Sequence, residues 1–223
     1  LALHVPTILF PRSGVDLTRW TVIACDQYTA EPEYWEAVDR LVGSAPSTLR
    51  LTFPEVFLGK GDEAARIAAI NAAMAGYLAA GVLRELPPGF VLLDRQTGHV
   101  PSRKGLIVAL DLEHYDYLPG AQTLIRATEG TILDRLPPRI RVREKAPIEL
   151  PHIMVLIDDP QQTVIEPLFN AELPPLYDFE LMKSGGRLRG GRRRTYTPRT
   201  SGPQTTLWSW SESRASRPLA RSQ

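Results

Sequence analysis

Cysteine is almost absent from this chain. Cys25 is the single one among 223 residues, so no internal disulfide can form, and a reducing cytoplasm is the expected compartment. No run of about 18 apolar residues occurs, which excludes a membrane-spanning helix and leaves no membrane partner to expect. The opening "LALHVPTILF" is too short, and too polar at His4, for a secretory signal. The four histidines, His4, His99, His114 and His152, lack metal-ligand spacing, and with one cysteine no metal site is expected. His152, ahead of an apolar stretch, reads as a structural residue. Neither a G-x-G-x-x-G fingerprint nor a phosphate-binding loop of the G-x-x-x-x-G-K type is present.

What is there is an ordinary globular composition, 43% apolar and 23% charged, with an uneven charge distribution. From Arg187 to Gln223 nine arginines face one acid, Glu212; that end therefore carries +8 and leaves −7 on residues 1–186 of a chain whose total is +1. The last 37 residues contain no Val, Ile, Phe, Asp or Lys. Such a composition cannot bury a core, so 187–223 is expected to be a basic, disordered tail behind a domain over 1–186. Two origins fit it. One is a frameshift near codon 187; the other is a basic arm that binds nucleic acid through arginines and aromatics.

Periodicity predicts a mixed α/β to α+β fold with antiparallel hairpins and two main helices. Residues 31–42 place Tyr34, Val38, Leu41 and Val42 on one stripe, with Gly43 as the stop. Residues 62–80 repeat Ile67, Ile70, Met74, Tyr77 and Leu78 at helical spacing, ending before Gly81. Strands are expected at 4–11 and 20–25, and a strand and turn over 47–58. Hairpins are expected from 89–96 with 103–115 and from 152–159 with 163–169.

Three stretches are candidates for anion or ligand binding. In "ACDQYT", Asp26, Gln27, Tyr28 and Thr29 fall where a buried strand gives way to a helix, whose first amides are free to bind a ligand; the alternative is that Asp26 or Thr29 merely caps that helix. Cys25 reads as buried filler more readily than as a nucleophile, since no histidine is near in sequence. In "RATEGTILD", Arg126, Thr128 and Thr131 surround a helix start marked by a Thr131/Asp134 capping box; here the alternative is a capped turn with Arg126 paired to Glu129. In "RIRVRE", alternation puts Arg139, Arg141 and Arg143 on one face of a strand, either to hold a polyanion or as a solvated edge.

Longer stretches carry a resemblance. "WTVIACDQYTAEPEYWEAVDRLVG", "PSTLRLTFPEV", "RKGLIVALDLEHYDY", "LIRATEGTILDRLPPRIRVRE", "APIELPHIMVLIDDPQQTVIEPL" and "LYDFELMKSGG" are similar to the bacterial domain of unknown function 1015 family, over about residues 3–186. Intact members continue past the "GG" and carry an Asp-Gly-Asn-His or Asp-Gly-His-His motif that resembles one in the superfamily of ParB, sulfiredoxin and a free-serine kinase. The resemblance therefore implies a truncated member of a family whose intact form binds a nucleotide, ATP or ADP with Mg, and transfers a phosphoryl group to a small metabolite. A non-catalytic, ParB-like nucleic-acid binder or regulator is the alternative it implies. The motif itself is missing: no His follows His152 and no Asp follows Asp178. No catalytic residue is carried over, and nucleic acid is expected as a partner only through the tail.

Overall fold

A computed structural model describes residues 3–127, 130, 132–170 and 175–194, with the backbone of 207–210. The N-terminal half is built around helices. Asp16 caps α1 (Leu17–Trp20) by accepting from the amides of Thr18 and Arg19. Pro32 opens α2 (Pro32–Val42), where its missing N–H costs nothing, and Gly43 at φ 57° ends it. Asp62 caps α3 (Glu63–Ala79) by accepting from Ala65 N at 2.9 Å. Both long helices fall within a residue of the spans that periodicity predicts. Trp35, Val38 and Val42 are the buried face of α2, whereas Leu41 is exposed. Ile67, Ile70 and Met74 of α3 join Trp20, Leu51, Phe53, Leu83 and Val142 in the main core.

The expected strand over 20–25 does not form. Residues 21–24 have no ladder, and side chains serve their backbone instead: Ser47 and Thr48 hydroxyls donate to Trp20 O at 3.2 and 2.8 Å, and Val22 N donates to Thr48 Oγ1 at 3.2 Å. Backbone groups must be satisfied somewhere, and two hydroxyls here replace a neighbouring strand. The expected strand over 47–58 is likewise two single 3-10 turns, Thr48–Arg50 and Glu55–Phe57.

Among the described residues, four small sheets complete the fold. β1 (Leu3–His4) pairs with β6 (Ala109–Leu110), and β2 (Leu9–Pro11) with β3 (Leu83–Glu85), both antiparallel. β4 (Phe90–Gln96) and β5 (Arg103–Ile107) form the expected hairpin. β7 (Tyr115–Asp116) runs parallel to β8 (Ile125–Ala127). The larger antiparallel sheet has the order β10-β11-β4-β5, with β10 (Pro175–Glu180) at one edge and β11 (Arg187–Arg193) inside. The other is also four-stranded and begins with β7 and β8. In it β12 (Leu207–Trp210) lies parallel to β8 and antiparallel to β9 (Met154–Ile157). The second expected hairpin is thus absent, because β9 pairs with β12 and Glu166–Phe169 is a 3-10 turn.

Two further sequence expectations need correction. "RIRVRE" is not a strand but part of helix α4 (Leu136–Arg143), which Pro137 and Pro138 start in the turn where proline is tolerated. At helical spacing Ile140 and Val142 face different ways; Ile140 is exposed and Val142 is buried, so their alternation was a false strand signal. The second correction concerns the tail, expected to be disordered from residue 187. Residues 187–193 instead form an inner strand, in register with β10 and β4. Its side chains are committed: Arg187 makes a bidentate pair with Asp178 at 2.6 and 2.8 Å, and Arg193 donates twice to Leu168 O. Gly190 is required sterically, since a Cβ there would overlap Leu92 O and the Tyr177 hydroxyl.

Candidate functional site

A cleft of about 510 Å3 opens where three segments meet: residues 23–34, the β4–β5 hairpin and the turn after β10. That volume lies within the roughly 300–1,000 Å3 typical of small-molecule sites. Arg95, Arg103, Lys183 and His99 line it together with Gln27, Tyr28, Tyr34, Thr97 and Ser184, and no carboxylate is among the described lining residues.

The cationic wall follows from strand register. Arg95 of β4 lies directly opposite Arg103 of β5, so the two side chains share one face of the hairpin. Like charges at opposed positions are unfavourable, a cost that an anion between them would relieve. Arg95 donates through Nη2 to Gly185 O at 3.3 Å, while its Nε is buried without a hydrogen-bond partner.

Lys183 reaches the same cleft from a turn of restricted geometry. Lys183 and Ser184 both take φ 56°, in the left-handed region. The turn is held by Leu181 N donating to Gly186 O at 2.7 Å and Gly185 N donating to Met182 O at 3.1 Å. A Cβ on Gly186 would overlap Gln96 O, so the turn lies hard against the end of β4. Four described residues other than glycine have positive φ, and three of them, Tyr28, Lys183 and Ser184, line this one cleft. Strained backbone of this kind concentrates at binding and catalytic sites.

In the same cleft, Tyr28 stacks on Tyr34 with ring centroids 3.9 Å apart and planes within 2°. Tyr34 meets Trp35 edge-on at 5.5 Å, and burial pushes its hydroxyl up to about 12. Trp35, wholly buried, donates its indole N–H to Gln27 O at 3.3 Å.

Of the residues singled out from sequence, Gln27 and Tyr28 line the cleft; Asp26 and Thr29 belong to the same turn but not to the lining. Neither Asp26 nor Thr29 caps α2, whose N-cap is Glu31 with no side-chain hydrogen bond. Cys25 is buried, and its thiol is pushed up to about 11, chiefly by burial and then by Asp26, which makes it a poor nucleophile. Arg126 is in β8, away from the cleft, and its Nε donates to Thr123 O at 3.0 Å. Thr128 and Thr131 lie outside the described residues, as does Glu129.

The arginine row of α4 is tied to carboxylates. Arg139 and Arg135 both pair with Glu55, whose side chain is only 4% exposed; Arg141 pairs with Glu63 and Arg143 with Glu149, each at 2.8 Å. These arginines brace α4 against its neighbours and do not form an open polyanion face. Sequence reasoning missed Arg95, Arg103, Lys183 and Ser184. The signal available for Arg95 was the adjacent charges Asp94 and Arg95 inside the otherwise apolar "FVLL" strand.

The site is thus a cationic, partly aromatic cleft on a mixed α/β scaffold, among whose described residues no cluster of His, Cys, Asp and Glu could hold a metal ion. The family model for a protein of unknown function (DUF1015) matches residues 9–190, most of the chain, and the chain belongs to that family. The match runs past the "GG" at 185–186 and into β11. Comparison with curated proteins and with solved structures gave no match. No helix among the described residues is long and apolar enough to cross a membrane.

Proposed function

We propose that this protein binds a nucleotide in the cleft, with the phosphates against Arg95, Arg103 and Lys183. The observation that carries this reading is the opposed Arg95–Arg103 pair, joined by Lys183 in a cleft whose described lining holds no acid. Such a wall supplies charge-assisted hydrogen bonds to phosphate oxygens at a site whose backbone is already set. The lining fits the anion and not a protein-held magnesium ion, because its described residues offer no carboxylate. Phosphoryl transfer to a small metabolite, the activity that the family resemblance implies, needs metal ligands from outside the described lining; binding is the step these residues support. The nucleic-acid reading has lost the arginine row of α4 to ion pairs with glutamates.

Calorimetric titration with ATP and ADP tests the proposal. Binding is expected to weaken as salt rises and to fall at least about ten-fold in Arg95→Gln and in Lys183→Gln, each of which forfeits a charged hydrogen bond worth about 1.5–3 kcal/mol. Failure of both nucleotides to bind at millimolar concentration, or unchanged affinity in both variants, overturns it.

A further inference from the structure

We infer that the Tyr28–Tyr34 stack is a ring-recognition subsite, so that the cleft selects an anion bearing a flat aromatic ring over a bare polyanion. This rests on the anion-binding reading above and adds a second requirement to it. Four observations converge on Tyr28. It lines the cleft that holds the cationic wall. The residue stays 42% exposed although it is large and mostly apolar. Its backbone sits at φ 51°, a conformation that non-glycine residues adopt at a cost and that bulky ones seldom take. One ring face is occupied by Tyr34, at 3.9 Å and parallel.

The support behind that ring is layered. Trp35 is fixed in the core by packing and by its bond to Gln27 O; Tyr34 packs at right angles to Trp35; Tyr28 lies flat on Tyr34. A ring held in this way loses little freedom on accepting a further ring, so stacking adds affinity at small entropic cost. Aromatic platforms hold bases this way, and tolerate any base because every base has a π-face. The cationic side chains line the same cleft, which suits a molecule that carries both a ring and phosphates.

The test compares ADP with inorganic pyrophosphate by calorimetry on the whole chain, in wild type, Tyr28→Phe, Tyr28→Gly and Arg95→Gln. Glycine accepts φ 51° without strain, so removing the ring in this way adds no backbone strain. Wild type is expected to prefer ADP by roughly ten-fold, the size of one base–aromatic stack. Tyr28→Phe should keep that preference, and Tyr28→Gly should lose it. Equal affinity of wild type for the two ligands, or an ADP preference unchanged in Tyr28→Gly, overturns the ring subsite and leaves the anion site standing. Pyrophosphate affinity unchanged in Arg95→Gln overturns the anion wall, while the Tyr28 comparison still decides the ring. Binding of neither ligand overturns both.

Discussion

Arg189 reaches from β11 to Asp94 of β4 and places Nε and Nη2 2.9 and 2.8 Å from the same carboxylate oxygen, while Ser102 donates to the other at 2.8 Å. Asp94 is 1% exposed, so this carboxylate depends on those two partners. Arg189→Leu strands it. The expected loss is about 2 kcal/mol of unfolding free energy in urea, below the roughly 3–5 kcal/mol of fully buried pairs because the arginine is itself half in water. The double variant Asp94→Leu with Arg189→Leu should recover part of that loss, since no charge is then left buried.

Gly190→Ala is expected to destabilise by about 3 kcal/mol, the cost of forcing a methyl into the Leu92 carbonyl and the Tyr177 hydroxyl. Thermal unfolding of the variant beside wild type checks this. Wild-type stability in Gly190→Ala would mean that β11 does not lie against β4.

The arginines of α4 should separate sharply. Arg139→Ala removes a partner from Glu55, whose side chain is almost fully buried, and should cost about 1–2 kcal/mol. Arg141→Ala breaks an exposed pair with Glu63 and should cost no more than about 0.5 kcal/mol. Urea titration of both variants measures the contrast. Similar losses would return the arginines to the role of an undifferentiated charged surface.

Cys25 gives a pH prediction. Its folded thiol titrates near 11 against an ordinary 9.0. Between those values the unfolded chain releases this proton and the folded chain keeps it, so the stability it contributes is present below pH 9 and is lost as pH rises towards 11. Cys25→Ala should therefore lose less stability than wild type over that alkaline window. At pH 8, Ellman's reagent should label the native thiol slowly and the urea-unfolded thiol at once.

The parts legible in the sequence were those whose signal is local. α2 and α3 carry apolar residues at helical spacing and end at Gly43 and Gly81; the β4–β5 hairpin alternates two apolar runs with a polar turn. Where a signal was shared between two structures, the wrong one was read. An apolar run over 20–25 fits a strand, but hydroxyls of Ser47 and Thr48, more than 20 residues away, take the place of its neighbour. Alternation over 139–144 fits a strand, but the preceding pair of prolines favours a helix start. Of the site, only the turn carrying Gln27 and Tyr28 was found. Arg95 and Lys183 are brought together by a sheet whose strands are remote in sequence, and no window of neighbouring residues contains both.

The place of β11 within its sheet bears on how the chain is made. β4 and β11 are almost a hundred residues apart, yet β11 must lie between β4 and β10 for the sheet to have a middle. During synthesis the β4–β5 hairpin leaves the ribosome early and waits, with one flank unpaired, until the residues up to Arg193 have emerged. At roughly 5–20 residues per second that wait lasts on the order of 5–20 seconds, and it leaves a strand edge open to other chains throughout. The open strand carries two charges, Asp94 and Arg95, and charge on an unpaired strand disfavours pairing with another copy of the chain.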